Sequence, residues 1–290
     1  MLPWNDRAGK FSALKLTVFL GVIAPGLWIA AQGATGTLGS KPITSAIHQS
    51  GDWAVRFLLL SLLVTPLRFV ADWPKLIAVR RMIGVAVAAY AASHLAFYVV
   101  EQAFNLQKVA SEIVLRFYLT IGFVGLLGLI ALAATSTDAM IRRLGSARWN
   151  RLHLLTYPIA FLAIWHFFLQ TKLDVSEPVL MLGFFVWLMG FRLMRRFGIA
   201  VGPLQLTALA IISAVATALL EALWYATMTG VMASRILYAN LDVAFGIRPA
   251  LWVGLAGFAL VAVNAVRMRG RNRERSGAPR GRRAAVAAAE

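Results

Sequence analysis

The sequence predicts an all-α fold: a polytopic transmembrane helical bundle of eight spans, with both termini cytoplasmic. Three observations predict it. First, 60% of the 290 residues are apolar and only 14% are charged, against roughly a quarter charged in a soluble domain. With a mean hydropathy of +0.72, the chain has too little polar surface to coat a soluble globule, so part of its solvent is lipid. Second, eight apolar runs approach the roughly 20 residues that a spanning helix needs. Third, the segments between these runs alternate in charge.

Taken in order, the runs are Leu16–Ala31, Trp53–Val70, Met82–Gln102, Leu115–Thr135, Leu152–Thr171, Pro178–Met194, Leu204–Met228 and Pro249–Val266. One set of connections holds Arg7, Lys10 and Lys15, then Arg68, Lys75, Arg80 and Arg81, then Arg142, Arg143, Arg148 and Arg151, then Arg192, Arg195 and Arg196. The other set is poorer and mixed, with Lys41 and Asp52, Lys108 and Glu112, Lys172, Asp174 and Glu177, and Arg235, Asp242 and Arg248. The arginine-rich side is therefore expected to be cytoplasmic. The first run has a basic start and small residues in AAQGA, as a cleaved leader would. Its polar lead is long and its removal would leave an odd number of spans, so a retained helix is expected. The organisation expected is a cytoplasmic N-terminus over 1–15, six spans over 16–197, two further transmembrane spans over 198–267, and a disordered basic cytoplasmic tail over 268–290.

The formal net charge of +17, from 29 Lys and Arg against 12 Asp and Glu, would suggest nucleic acid in a soluble protein. Here the cations sit between spans, so the expected partner is the lipid bilayer and no nucleic acid. The chain has no cysteine, which excludes disulfides, iron–sulfur clusters and covalent attachment of heme through C-x-x-C-H. There is no Walker A loop, zinc-spacing motif, G-x-S-x-G elbow or dinucleotide fingerprint.

Four histidines remain: His48, His94, His153 and His166. Ionisable side chains inside a span are costly and mark function. His94 lies about 18 Å into the third run from the cytoplasmic side. His166 lies 13 residues beyond His153, about 20 Å deeper than that residue, so it shares the outer half of the bilayer with His94. Two imidazoles on neighbouring helices at one depth are what a six-coordinate heme requires. Ala91, Ala88 and Gly84 lie on or near the His94 face and would leave a slot for a macrocycle, although close helix packing favours small residues too.

Thirteen residues turn a straight helix by about 220° beyond whole turns, which points His153 and His166 apart unless Pro158 unwinds the segment. His153 is a candidate for a second heme, a quinone, a heme propionate or a plain interfacial role. His48, in AIHQSGDW, is expected on an outer loop. Arg56 is a candidate partner for heme propionates. Arg80 and Arg81 are candidates for a flavin phosphate or a quinone head group, or serve topology and snorkelling alone. Glu221 reads as a proton relay or as a neutral acid hydrogen-bonded between helices.

The stretches SGDWAVRFLLLSLLVTPLR, RRMIGVAVAAYAASHLAFY and ATSTDAMIRRLGSARWNRLHLLTYPIAFLAIWHFF resemble the MsrQ (YedZ) family of heme-binding membrane subunits, within the ferric-reductase-like transmembrane group. The resemblance covers Leu16 to Arg196. It implies a heme b electron conduit in the bacterial inner membrane, with one or two hemes associated with His94, His153 and His166. Arg80 and Arg81 would be linked to FMN or quinone. Electrons would come from the quinol pool or a cytosolic flavin reductase and go to a periplasmic molybdenum enzyme that reduces methionine sulfoxide in proteins, in a repair role. The chain would thus be an electron-transfer subunit rather than a stand-alone enzyme. The other readings open at this point are a reductase of ferric or cupric ions at the outer face and a heme-free transporter. The resemblance is silent on the chain after Phe197.

Overall fold

In a computed structural model the chain is built of α-helices joined by short turns, and the structure describes residues 2–6, 8–171, 174–244 and 246–277. The helices are α1 (Ala13–Ala34), α2 (Pro42–Val70), α3 (Ile77–Glu101), α4 (Leu106–Leu115), α5 (Phe117–Ala134), α6 (Asp138–Leu144), α7 (Ser146–His153), α8 (Thr156–Gln170), α9 (Ser176–Arg196), α10 (Pro203–Met228), α11 (Ala233–Ala239) and α12 (Pro249–Gly277). Among the described residues there is no β-strand, only an isolated bridge between Asn5 and Phe11. Eight helical segments are long and apolar enough to cross a membrane, α7 and α8 together forming one of them.

Local chemistry sets the boundaries. The Ser12 side chain accepts from the Lys15 amide to start α1, Asn105 caps α4 through the Lys108 amide, and Thr137 caps α6 through the Met140 amide. The fifth run is broken: α7 ends at His153 and α8 begins at Thr156, with Pro158 in the first turn of α8. A proline there gives up no helical hydrogen bond.

Two boundaries differ from the sequence reading. α2 begins at Pro42, so His48 is helical and not on a loop. The segment reads PITSAIHQSGD, too polar for an apolar-run criterion, yet it is one continuous helix with the apolar run that follows. At the other end α12 continues to Gly277, past the expected start of the tail; residues 278–290, with Arg7 and Lys172, lie outside the described residues.

The chain divides into two compact units, Met1–Thr65 with Lys75–Phe185, and Pro66–Pro74 with Val186–Glu290. In the first, α1 packs on α3, α3 on α5, and α5 on α8, while the short α4 packs on α5 and α6 on α7. Small residues permit close approach: a Cβ on Gly128 would stand 2.6 Å from Ile159. In the second unit α10 packs on α12 and α11. The α10–α12 seam is so tight that a Cβ on Gly257 would stand 2.6 Å from the Ala210 Cβ, the small-residue packing used where lipid supplies no hydrophobic drive. The same unit holds the C-terminal end of α2. Its terminal carbonyls are capped from α12, with Asn264 Nδ2 donating to the Val70 carbonyl at 3.3 Å and Arg267 Nη1 to the Phe69 carbonyl at 2.9 Å.

Glu221 is fully buried in this unit. Arg248 Nη2 donates to its Oε1 at 2.6 Å and Asn240 Nδ2 to its Oε2 at 2.8 Å. It is paired with Arg248 on one oxygen and with the neutral Asn240 amide on the other.

Candidate heme site between His94 and His166

α3 carries His94 and α8 carries His166, and the structure brings them face to face. Their ring centres are 6.3 Å apart and their planes stand at 90°. A metal–imidazole bond is about 2 Å and the ring centre lies about 1 Å further, so two imidazoles on opposite sides of one metal have centres about 6 Å apart. The separation thus would suit two imidazoles on opposite sides of a single iron.

The orientation of each ring is fixed from behind. His94 Nδ1 donates to the Ile47 carbonyl of α2 at 2.8 Å, and His166 Nδ1 donates to the Tyr118 carbonyl of α5 at 2.8 Å. A carbonyl can only accept, so both Nδ1 atoms carry the proton and both Nε2 atoms present a lone pair. Metal-ligating histidines are held in this way.

Glycines make room for the rings. A Cβ on Gly51 of α2 would lie 2.9 Å from His94 Nδ1, and one on Gly122 of α5 would lie 2.8 Å from His166 Cε1 and Nδ1. Each ring is thus pressed against a neighbouring backbone that only glycine leaves bare. Gly122→Ala is expected to push the His166 ring off its line and reduce heme affinity by about tenfold, measured as heme per chain after purification; full occupancy would show that the ring has other room to move.

The two rings open into a cavity of about 960 Å³ whose apolar part is lined by Leu58, Val87, Leu126 and Leu129 among others. Ala91 lines it, as expected, while Ala88 and Gly84 do not. Gly51 and Gly122 of the facing helices line it beside Ala91.

The ferric reductase like transmembrane component family matches residues 50–164. The protein-methionine-sulfoxide reductase heme-binding subunit MsrQ of Rhodospirillum rubrum is 38% identical over 194 residues, covering 67% of this chain and 91% of that protein. The chain belongs to the MsrQ family. The MsrQ proteins of Agrobacterium fabrum, 43% identical over 174 residues (60% of this chain, 80% of the relative), and Caulobacter vibrioides, 38% over 176 residues (60% and 84%), agree. No solved structure matches the chain.

The remaining candidates of this MsrQ-family chain fall elsewhere. His153 does not line the His94–His166 cavity. Its Nδ1 donates to the Trp149 carbonyl at 3.0 Å, its Nε2 lies 3.3 Å from the Ser136 hydroxyl, and its ring stacks on Trp149 at 3.8 Å. The break between α7 and α8 therefore does not rotate it toward His166. Arg56 donates to Glu177 at 3.2 Å, lies over the Trp53 ring, and is not among the residues lining the cavity. His48 does line it.

Arg81 is ion-paired with Asp138, and the charge of Arg80 is felt at His153. Arg81 also lines a second cavity, of about 1090 Å³, between α1 and α3, whose polar end includes Lys15, Ser136 and Asp138. α3 is the wall between the cavities, presenting Ser93 to one and His94 to the other. Sequence reasoning missed Gly51, Gly122, Tyr118 and Arg116. The first two sit in sequences where a glycine reads simply as a small membrane residue, and a carbonyl acceptor leaves no trace in the side-chain sequence.

Proposed function

We propose that this chain is the heme-binding, electron-transferring membrane subunit of a protein-methionine-sulfoxide reductase system. The observation that carries the reading is the His94–His166 pair, with ring centres 6.3 Å apart and both Nδ1 atoms tied to carbonyls. A heme b bound there supplies one-electron transfer. The chain's own residues orient the two ligating nitrogens and keep the macrocycle in an apolar slot that excludes water. Membership of the MsrQ family supports the choice of group, since the relatives are named as heme-binding subunits.

The same reading places the arginine-rich side and both termini in the cytoplasm and the chain in a bacterial inner membrane. Electrons enter from quinol, or from a cytosolic flavin reductase through FMN, and leave to a periplasmic molybdopterin-containing catalytic subunit. The α1–α3 cavity supports a lipid-soluble donor: it is largely apolar, it carries Arg81, Asp138 and Ser136 at one end, and it is one helix, about 10 Å thick, from the His94 pocket. His153 is hydrogen-bonded to Ser136, which lines that end. One heme is the number that this reading requires.

The experiment is a reduced-minus-oxidised visible spectrum of the detergent-purified protein, with heme measured per chain. Sharp bands of low-spin heme b at one heme per chain are expected. A featureless spectrum from folded protein grown with ample heme supply would sink the reading.

A further inference from the structure

A heme is amphiphilic, with an apolar macrocycle and two propionates along one edge. The cavity is amphiphilic too. Leu58, Val87 and Leu126 line its apolar part, and charged residues gather at its other end. Among the described residues that end is lined by five carboxylates against two cations, Lys108 of α4 and Arg116 at the α4–α5 junction. An environment so rich in carboxylates repels two more, so the cations decide how the propionate edge is held.

Arg116 is fixed in place. It ends α4 and precedes α5 in extended conformation, with φ −105° and ψ 104°. Its Nη1 donates to Tyr118 Oη at 3.0 Å and its Nη2 to Glu112 Oε1 at 3.3 Å. Tyr118 is the residue whose carbonyl orients His166, so the guanidinium stands two residues from an anchor of the axial ligand. Tyr98, one helical turn beyond His94 on α3, donates to the other oxygen of Glu112. A guanidinium has five N–H donors in a planar fork that suits a carboxylate, and these contacts use two.

We propose that Arg116, with Lys108 beside it, binds the heme propionates and sets the reduction potential of the heme, the role that the sequence alone suggested for Arg56. The proposal rests on the axial assignment of His94 and His166. Its sign follows from charge. Reduction adds an electron, so a nearby cation favours the reduced form, and its loss makes the potential more negative.

The test uses the full chain in detergent, loaded with heme, with three readouts: heme per chain, the rate of heme loss to apomyoglobin, and the midpoint potential from a redox titration. In Arg116→Gln the low-spin spectrum is expected to persist, because both axial histidines remain. Heme loss should quicken by about tenfold, the worth of one charge-assisted hydrogen bond, and the potential should fall. Arg116→Lys keeps the charge without the fork and should recover most of the potential, which a merely structural role of the arginine would not do. Arg56→Gln should leave both readouts unchanged. An Arg116→Gln chain with the parent's loss rate and potential overturns the proposal, as does a shift of equal size in Arg56→Gln. A His94→Ala chain that keeps the parent's heme would overturn the axial assignment and Arg116 with it.

Discussion

His94→Ala and His166→Ala are each expected to abolish low-spin heme binding, with heme per chain falling from about one to near zero in a six-coordinate site that loses one of its two axial bonds. The two variants should behave alike, because each ring has its Nδ1 on a carbonyl at 2.8 Å, which leaves its Nε2 with a lone pair. His153→Ala should keep the heme, since His153 is bonded to Trp149 and Ser136 and lies outside the cavity. The 90° between the ring planes adds a spectroscopic signature, a strongly anisotropic low-spin electron paramagnetic resonance signal in place of the rhombic one given by coplanar imidazoles. Full heme in both alanine variants, or loss in His153→Ala alone, would move the ligands elsewhere.

Arg248→Ala is expected to give the largest loss of stability. Glu221 is fully buried, and without Arg248 its carboxylate keeps one neutral donor, Asn240. Removing one partner of a buried pair costs about 3–5 kcal/mol, because the other charge stays buried uncompensated. In thermal unfolding of the detergent-solubilised chain this corresponds to a drop on the order of 10 °C. The double variant Arg248→Ala with Glu221→Leu should recover most of it, since replacing both members by apolar groups is often near neutral. A single variant that melts within a degree or two of the parent would mean that water reaches the carboxylate.

How far the sequence speaks depends on the length scale of the question. The eight spans are legible because a helix in hydrocarbon must satisfy its own backbone and present apolar side chains all round. The same property hides which way each helix faces, and so the partners of a given residue. Depth is legible from residue counts, which is why His94 and His166 can be matched across two helices. Azimuth is not, and that is why, of Ala91, Ala88 and Gly84, only Ala91 lines the cavity, and why Gly51 and Gly122 pass unnoticed. Arg56 and Glu221 show the same limit, since their partners, Glu177 and Arg248, are 121 and 27 residues away. The polar start of α2 and the short helices α4, α6 and α11 escape a criterion built on long apolar runs.

The carbonyls of Ile47 and Tyr118, which receive the Nδ1 protons of His94 and His166, are peptide groups. No codon change at either position deletes the acceptor, and no proton equilibrium in the range of living cells alters it. These two anchors are therefore indifferent to the side chain carried at their own positions and to acidity. Under the proposed reading, the driving force of electron transfer is then open to adjustment at the rim of the cavity, where side chains can be exchanged without removing either anchor.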